Sequence, residues 1–117
     1  MTHSAPSLIA RAETDARRWN EALASLPTPH LLQSWEWGEI KRQTDWWAQR
    51  LLFTRQGAVV AVAQVLTRRL GRLPLAVQYV PKGPALDYTD PVLTVQVLAA
   101  LEDYARRKGM TLAEAER

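Results

Sequence analysis

Two runs, "WAQRLLFTR" (Trp47–Arg55) and "AVVAVAQVLTRRL" (Ala58–Leu70), meet across Gln56-Gly57. Both are rich in β-branched or large apolar residues, and the short Gly-containing break between them reads as the turn of an antiparallel hairpin. The second run is apolar on both parities from Ala58 to Ala63. Such a strand is covered on both faces and so sits centrally in its sheet. With 117 residues the chain amounts to one domain, so the cover has to come from the segments flanking the hairpin.

Those segments read as helices. Glu13 to Leu26 carries Trp19, Ala22, Leu23 and Leu26 at helical spacing, and Pro27 and Pro29 end it. Ser34 is a candidate N-cap for a second helix that runs to Thr44, with Trp35, Ile40 and Trp37 as its apolar face and Gly38 weakening it. Asp90-Pro91 starts a third, with Asp as N-cap and Pro at the first helical position. Its apolar face is Val97, Leu98, Leu101, Tyr104 and Ala105. Arg106, Arg107 and Lys108 suit the last turn, and Gly109 the C-terminal cap. The class is α/β, with antiparallel strands and flanking helices. Residues 1–12 are small and polar and read as a loose N-terminal tail, leaving 13–117 as the folded unit. The closing "MTLAEAER" offers only Met110 and Leu112 where a further strand is expected, so the sheet reads as unfinished and the chain as truncated or frame-altered.

"VQYVPKGPALDYTDP", Val77 to Pro91, concentrates three prolines and a glycine around Lys82. A strand from Leu75 to Val80 halts at Pro81, because proline fixes φ and lacks the N–H that a ladder needs. The stiff corner that follows is either topology or a holder for a side chain and exposed amides. Charge adds a second cue. The formal net charge is +3, yet Lys41, Arg42, Arg50, Arg55, Arg68, Arg69 and Arg72 face a single acid, Asp45, between positions 41 and 72. That patch suits an anionic partner, phosphate above all, or is an ordinary solvated sheet surface.

Several chemistries are excluded or unsupported. Without cysteine there is no disulfide and no thiolate metal site. His3 and His30 lie in the tail and in a Pro-rich turn, and no catalytic triad, metal motif or nucleotide-binding glycine loop is present. No run reaches membrane-span length, and no signal-peptide core opens the chain, so the default is a cytosolic protein. Five tryptophans crowd the first half, Trp19, Trp35, Trp37, Trp46 and Trp47. Trp35 and Trp46 are read as core between the second helix and the hairpin. The alternative is a stacking platform in a small basic module for single-stranded RNA. Lys41, one turn past a buried Trp, is either solvated or points into a cleft to pair with phosphate.

"LLQSWEWGEIKRQTDWW", a hairpin, then "YVPKGPALDYTD" before a helix resembles the N-terminal portion of the Fem family (FemABX-like) of peptidoglycan peptidyltransferases. The family pattern "S-x-x-W-G-x-x-K" falls on Ser34, Trp37, Gly38 and Lys41. The pattern "Y-x-P-[KR]-G-P-x-x-D" falls on Tyr79, Pro81, Lys82, Gly83, Pro84 and Asp87. The likeness covers about Leu31 to Gly109, two separated motifs in the right order. It implies part of an acyl-coenzyme A N-acyltransferase (GNAT)-like domain. It also implies an aminoacyltransferase that moves an amino acid from aminoacyl-tRNA to the stem peptide of a lipid-linked or nucleotide-linked muramyl-peptide precursor, at the cytoplasmic face of the membrane.

On that resemblance Lys41 meets the precursor diphosphate, Tyr79, Lys82 and Gly83 line the same cleft, and Asp87 is the acid near the reacting amine, a candidate catalytic base. No cofactor and no metal are implied. Aminolysis of an activated ester needs positioning and oxyanion stabilisation rather than a covalent nucleophile. Two departures stand out: Asp45 replaces the family's Gly before the strand, and the second domain is missing, so the chain by itself is expected to be inactive. A plain acyl-coenzyme A acetyltransferase is disfavoured because its pyrophosphate loop "Q/R-x-x-G-x-G/A" is absent.

Overall fold

The Gln56-Gly57 break closes the hairpin with both residues at positive φ, 52° and 82°. Two consecutive left-handed residues twist the chain in the sense that flanking strands require. The computed structural model describes residues 7–72, 76–107 and 111–112. In it β2 (Trp47–Arg55) and β3 (Ala58–Arg69) pair antiparallel from Trp47↔Thr67 to Arg55↔Ala58. The register shifts between Phe53↔Ala61 and Thr54↔Val59, so Val60 is the extra residue of a bulge.

Four further strands extend this core. β1 (Leu8–Ala12) pairs antiparallel with β2, β4 (Ala76–Tyr79) with the end of β3, and the short β5 (Ala85–Leu86) with its middle. β6 (Thr111–Leu112) lies parallel to β4. The principal order is β1-β2-β3-β4-β6, with β5 on β3. Two expectations are thereby corrected. Leu8–Ala12 is a paired strand, not loose tail, because the unpaired edge of β2 offers it hydrogen-bond partners. The "MTLAEAER" segment does supply a strand, since pairing to β4 needs only backbone and not an apolar run. Leu75, Lys108 and Gly109 lie outside the described residues.

Helices cover both faces, as the double parity of β3 demands. α1 (Ala16–Ala24) starts later than Glu13, because Asp15 caps it through the Arg18 amide and the Glu13 carboxylate accepts from Thr14 and Asp15 N–H. With Leu26 it brings Trp19 and Leu23 onto Leu52, Val62 and Ala85. α3 (Pro91–Arg107) begins as predicted, the Asp90 carboxylate accepting from the Leu93 amide at 3.0 Å. It lays Leu93, Val97 and Leu101 on Leu51, Phe53, Ala61, Ala63 and Val65. Arg55 reaches across to Asp90 (3.3 Å) and Gln96 (3.1 Å), pinning the helix start to β2.

The two faces of α3 should respond differently to truncation. Leu101→Ala is expected to cost about 2–5 kcal/mol, read from the urea midpoint. Val95→Ala, at a site 66% exposed, should change it by no more than about 0.5 kcal/mol.

Candidate functional site

A charged side chain lies inside the sheet's α1 side. Arg50 of β2 is 4% exposed. Its Nε donates to Gln64 Oε1 (2.8 Å), and its Nη2 donates to the Trp35 carbonyl (2.9 Å) and to Glu39 Oε2 (3.1 Å). The guanidinium also stacks 3.6 Å from the Trp35 ring centroid. Gln64, from the middle of β3, spends its amide on the Ser34 carbonyl at 2.9 Å. The two polar residues of the hairpin's inner face thus satisfy each other and grip α2 (Trp35–Arg42). Burial alone raises the Glu39 carboxyl pKa. Hydrogen bonds from Arg50 and Arg42 outweigh it and hold Glu39 below the usual carboxylate range.

This grip explains Gly38. A Cβ there would lie 2.3 Å from Gln64 Oε1 and 2.5 Å from Arg50 Nη2. Both atoms are locked in buried hydrogen bonds and cannot swing away cheaply. Around it α2 is well specified: Ser34 Oγ accepts from the Trp37 amide at 3.2 Å, and Lys41 and Arg42 fall in the last turn. Asn20 of α1 accepts from the Trp35 amide and donates to Glu36, tying the two helices together. Ile40, expected on the buried face, is 53% exposed. The inward side is taken by Gly38 and Trp35, whose small size and aromatic face suit a guanidinium.

The last turn of α2 then brings Lys41 to an aromatic cluster. Its Nζ lies 5.3 Å from the Trp37 ring centroid and 6.0 Å from that of Trp46. Trp46 packs against Tyr79 of β4 at 5.9 Å with the planes inclined by 50°. Arg68 of β3 stands over the same indole at 5.9 Å. Lys41 and Arg68 have no carboxylate partner among the described residues. Two cations converge on one half-buried indole beside a phenol, an arrangement that can receive an anion.

The proline corner is a tight turn. The Gly83 N–H closes onto the Val80 carbonyl at 3.0 Å. Pro81 sits at its second position, and Lys82, at φ 59°, sits third. Positive φ is the glycine-favouring conformation of a type II turn, so a lysine here carries backbone strain. Buried Gln33 donates from Nε2 to the Gly83 carbonyl (3.2 Å), while its own carbonyl accepts from Trp19 Nε1 (2.9 Å). The corner is therefore fastened near the start of α2, and Lys41 stands roughly 10 Å further along that helix.

The sequence-predicted residues do not all gather. Lys41 and Tyr79 meet at Trp46. Lys82 lies three residues past Tyr79, on the turn. The Gly83 amide, expected to face an anion, is consumed by the turn. Asp87 stands apart. Tyr79 pairs with Leu66 and Leu86 with Ala61, which separates Leu86 from Tyr79 by about 17 Å along β3, and Asp87 lies one residue further on. Its Oδ1 accepts from Thr89 N–H (3.0 Å) and Oγ1 (2.6 Å), shaping the entry to α3.

The basic patch is also smaller than expected. Arg50 is buried and Arg55 is committed to Asp90. Nor do the tryptophans form a stacking platform: Trp19 is buried, Trp35 covers Arg50 and Trp46 covers Tyr79. His30 caps the 3₁₀ turn Leu31–Gln33. Asp45 lacks positive φ, so its turn has no need of glycine. Sequence reasoning missed Arg68 and Trp46 as site residues. It also missed the Arg50–Gln64 pair, whose available signal was two polar residues inside otherwise apolar strands.

Comparison with known proteins agrees with this architecture. The profile of the FemAB family matches residues 17–115. Lipid II:glycine glycyltransferase of Staphylococcus aureus is 36% identical over 93 residues, covering 80% of this chain and 20% of its own length. The same values hold for its counterpart in strain COL. The crystal structure of FemX superposes with a TM-score of 0.73 and 27% identity, over 86% of this chain and 24% of that one. The chain thus spans about a fifth of the length of these curated relatives.

Two outcomes follow from the Arg50 knot. Gly38→Ala gains up to about 1 kcal/mol of helix propensity but displaces a charge-assisted buried hydrogen bond worth about 1.5–3 kcal/mol. A net loss in urea midpoint is expected, partly recovered in the double change Gly38→Ala, Gln64→Ala. Because the folded pKa of Glu39 lies below its unfolded value of about 4.3, its contribution is complete above that value. It fades as pH falls through the folded pKa. Urea midpoints measured from neutral to acid pH should fall less steeply for Glu39→Gln than for the native chain.

Proposed function

The chain belongs to the FemAB family, and on that premise we propose that it is the precursor-gripping part of an aminoacyltransferase of peptidoglycan bridge synthesis. Lys41 and Arg68 meet the diphosphate of a muramyl-peptide precursor. Tyr79 donates its phenol beside them, and Trp37 and Trp46 form the floor. Lys82 extends the cationic lining from the corner. The observation that carries this reading is the Lys41 ammonium, one turn past Gly38, lying near two indoles with no carboxylate partner among the described residues.

The named relative adds support through its substrate, lipid II, which its name states, and its glycyl transfer. In the proposed reaction the precursor's amine nitrogen attacks the carbonyl carbon of an aminoacyl-tRNA ester. The C–N bond forms, the C–O bond to the tRNA ribose breaks, and the amine's proton ends on the departing oxygen. This chain's own residues contribute by anchoring the precursor so that its amine is presented in one orientation. A preorganised site of two cations and packed aromatics limits the entropy lost on binding. Asp87 acts in this scheme through the turn that places α3, since its carboxylate is engaged by Thr89. The strained conformation of Lys82 persists where a glycine would relax it, which suits a side chain retained for binding.

Calorimetry with the nucleotide-linked muramyl peptide tests this reading. Lys41→Ala and Arg68→Ala are each expected to weaken binding roughly tenfold to a hundredfold, the range for a lost charge-assisted hydrogen bond. Lys82→Gly should weaken binding while leaving stability unchanged or raising it by about 1 kcal/mol. Unaltered affinity in the Lys41→Ala, Arg68→Ala double variant would remove the proposal.

A further inference from the structure

β1 ends at Ala12 while β2 begins at Trp47, so the first residues of β2 have no strand beside them on that side among the described residues. A cavity of about 520 Å³ opens along this bare edge, a volume ordinary for a small-molecule cleft. Trp35 and Arg42 of α2 wall it on one face of the sheet. Tyr104 of α3, whose phenol donates to Gln49, walls it on the other.

Two side chains of opposite charge line this cavity, each more than nine-tenths buried: Arg50 is 4% exposed and Glu13 7%. One step past the pair Ala12↔Leu51, the register sets them opposite each other, and the Glu13 N–H donates to the Arg50 carbonyl at 2.8 Å. Side chains so placed share a face of the sheet. Yet they do not pair. Glu13 spends Oε2 on the Thr14 and Asp15 amides and forms no ion pair among the described residues. Arg50 commits Nε and Nη2, while its Nη1 donates to nothing among the described residues. The one carboxylate of Glu39 answers both Arg42 and Arg50, which leaves a positive charge in excess there.

A buried carboxylate and a buried guanidinium, side by side without pairing, are complementary to a ligand that carries both an ammonium and a carboxylate. A simple anion would answer Arg50 but be repelled by Glu13, and a simple cation the reverse. We infer that the cavity is a binding site for a free α-amino acid. Its ammonium donates to Glu13 Oε1, its carboxylate accepts from Arg50 Nη1, and its side chain lies along Trp35 and Ala48. That apolar wall favours an aliphatic side chain. An aminoacyl ester has no carboxylate to offer Arg50, so the site is separate from the transfer proposed above and does not rest on it.

Calorimetry of the 117-residue chain with L-leucine tests the inference, beside isocaproate, which lacks the ammonium, and L-leucinamide, which lacks the carboxylate. Leucine is expected to bind, and each analogue to bind at least about tenfold more weakly, the loss of one charge-assisted hydrogen bond. In Glu13→Gln a carboxamide oxygen can still accept from the Thr14 and Asp15 amides, but the charge is gone. That variant should keep the native circular dichroism and weaken leucine binding roughly tenfold to a hundredfold. Ala48→Leu, which fills the wall, should abolish binding. In amide NMR spectra leucine should move the signals of Glu13, Thr14 and Ala48 and leave that of Arg68 in place. Neither variant should alter the affinity for the nucleotide-linked precursor, and Lys41→Ala should leave leucine binding intact, so the two readings fail separately. No leucine binding at millimolar concentration, equal binding of either analogue, or binding untouched by Glu13→Gln overturns the inference.

Discussion

A guanidinium buried between a helix and a sheet is the constraint on which the rest of this structure depends. Arg50 is tolerable there because its Nε and Nη2 are answered by Gln64 in the sheet, the Trp35 carbonyl and the Glu39 carboxylate, and its plane by the Trp35 ring. Removing one partner would leave a buried charge short of compensation, which is far costlier than the pair is stabilising. α2 therefore has one seat on the sheet. Its first turn is fixed through Ser34 and Gln64, its middle through Gly38, and its last turn is left to carry Lys41 outward. The helix is short, with eight residues, so its placement comes from these contacts and little from intrinsic propensity.

The proline corner works in a complementary way. The prolines remove N–H groups that would otherwise need partners, and the turn absorbs the Gly83 amide. What the corner presents is thus a side chain, not a nest of amides. Lysine at a position that favours glycine costs backbone strain. Gln33, bonded at once to the corner and, through its carbonyl, to Trp19, opposes any relaxation. Both proposed sources of positive charge, α2 and the corner, are anchored through the same stretch, Gln33–Ser34.

Much of this was legible in the residues, for identifiable reasons. β3 betrayed its central position by being apolar on both parities, and the Gln56-Gly57 turn and the Asp90-Pro91 helix start rest on local backbone chemistry. The paired motifs around Lys41 and Lys82 led to the family, and with it the α/β arrangement. The errors fell where local patterns are silent. β1 and β6 exist because neighbouring strands offer them backbone partners, which no side-chain period announces. Ile40 was assigned inward by its hydrophobicity, although the inward volume belongs to a guanidinium. Asp87 shares one motif with Tyr79 and Lys82, and the strand register sets it apart from Tyr79 in space. Arg68 lies 27 residues beyond Lys41 in the chain, and only the β2–β3 register, with Trp47 opposite Thr67, brings it to Trp46.

The buried Arg50 contacts fix α2 and thereby position Lys41 against the indoles of Trp37 and Trp46. Proton NMR of the Lys41 ε-methylene reports this directly, because nearby aromatic rings displace its resonance. The native chain should show a clear ring-current shift, which collapses toward the value of a solvated lysine in a folded Arg50→Gln variant. An unshifted Lys41 in the native chain, or a shift that survives Arg50→Gln intact, would contradict the account.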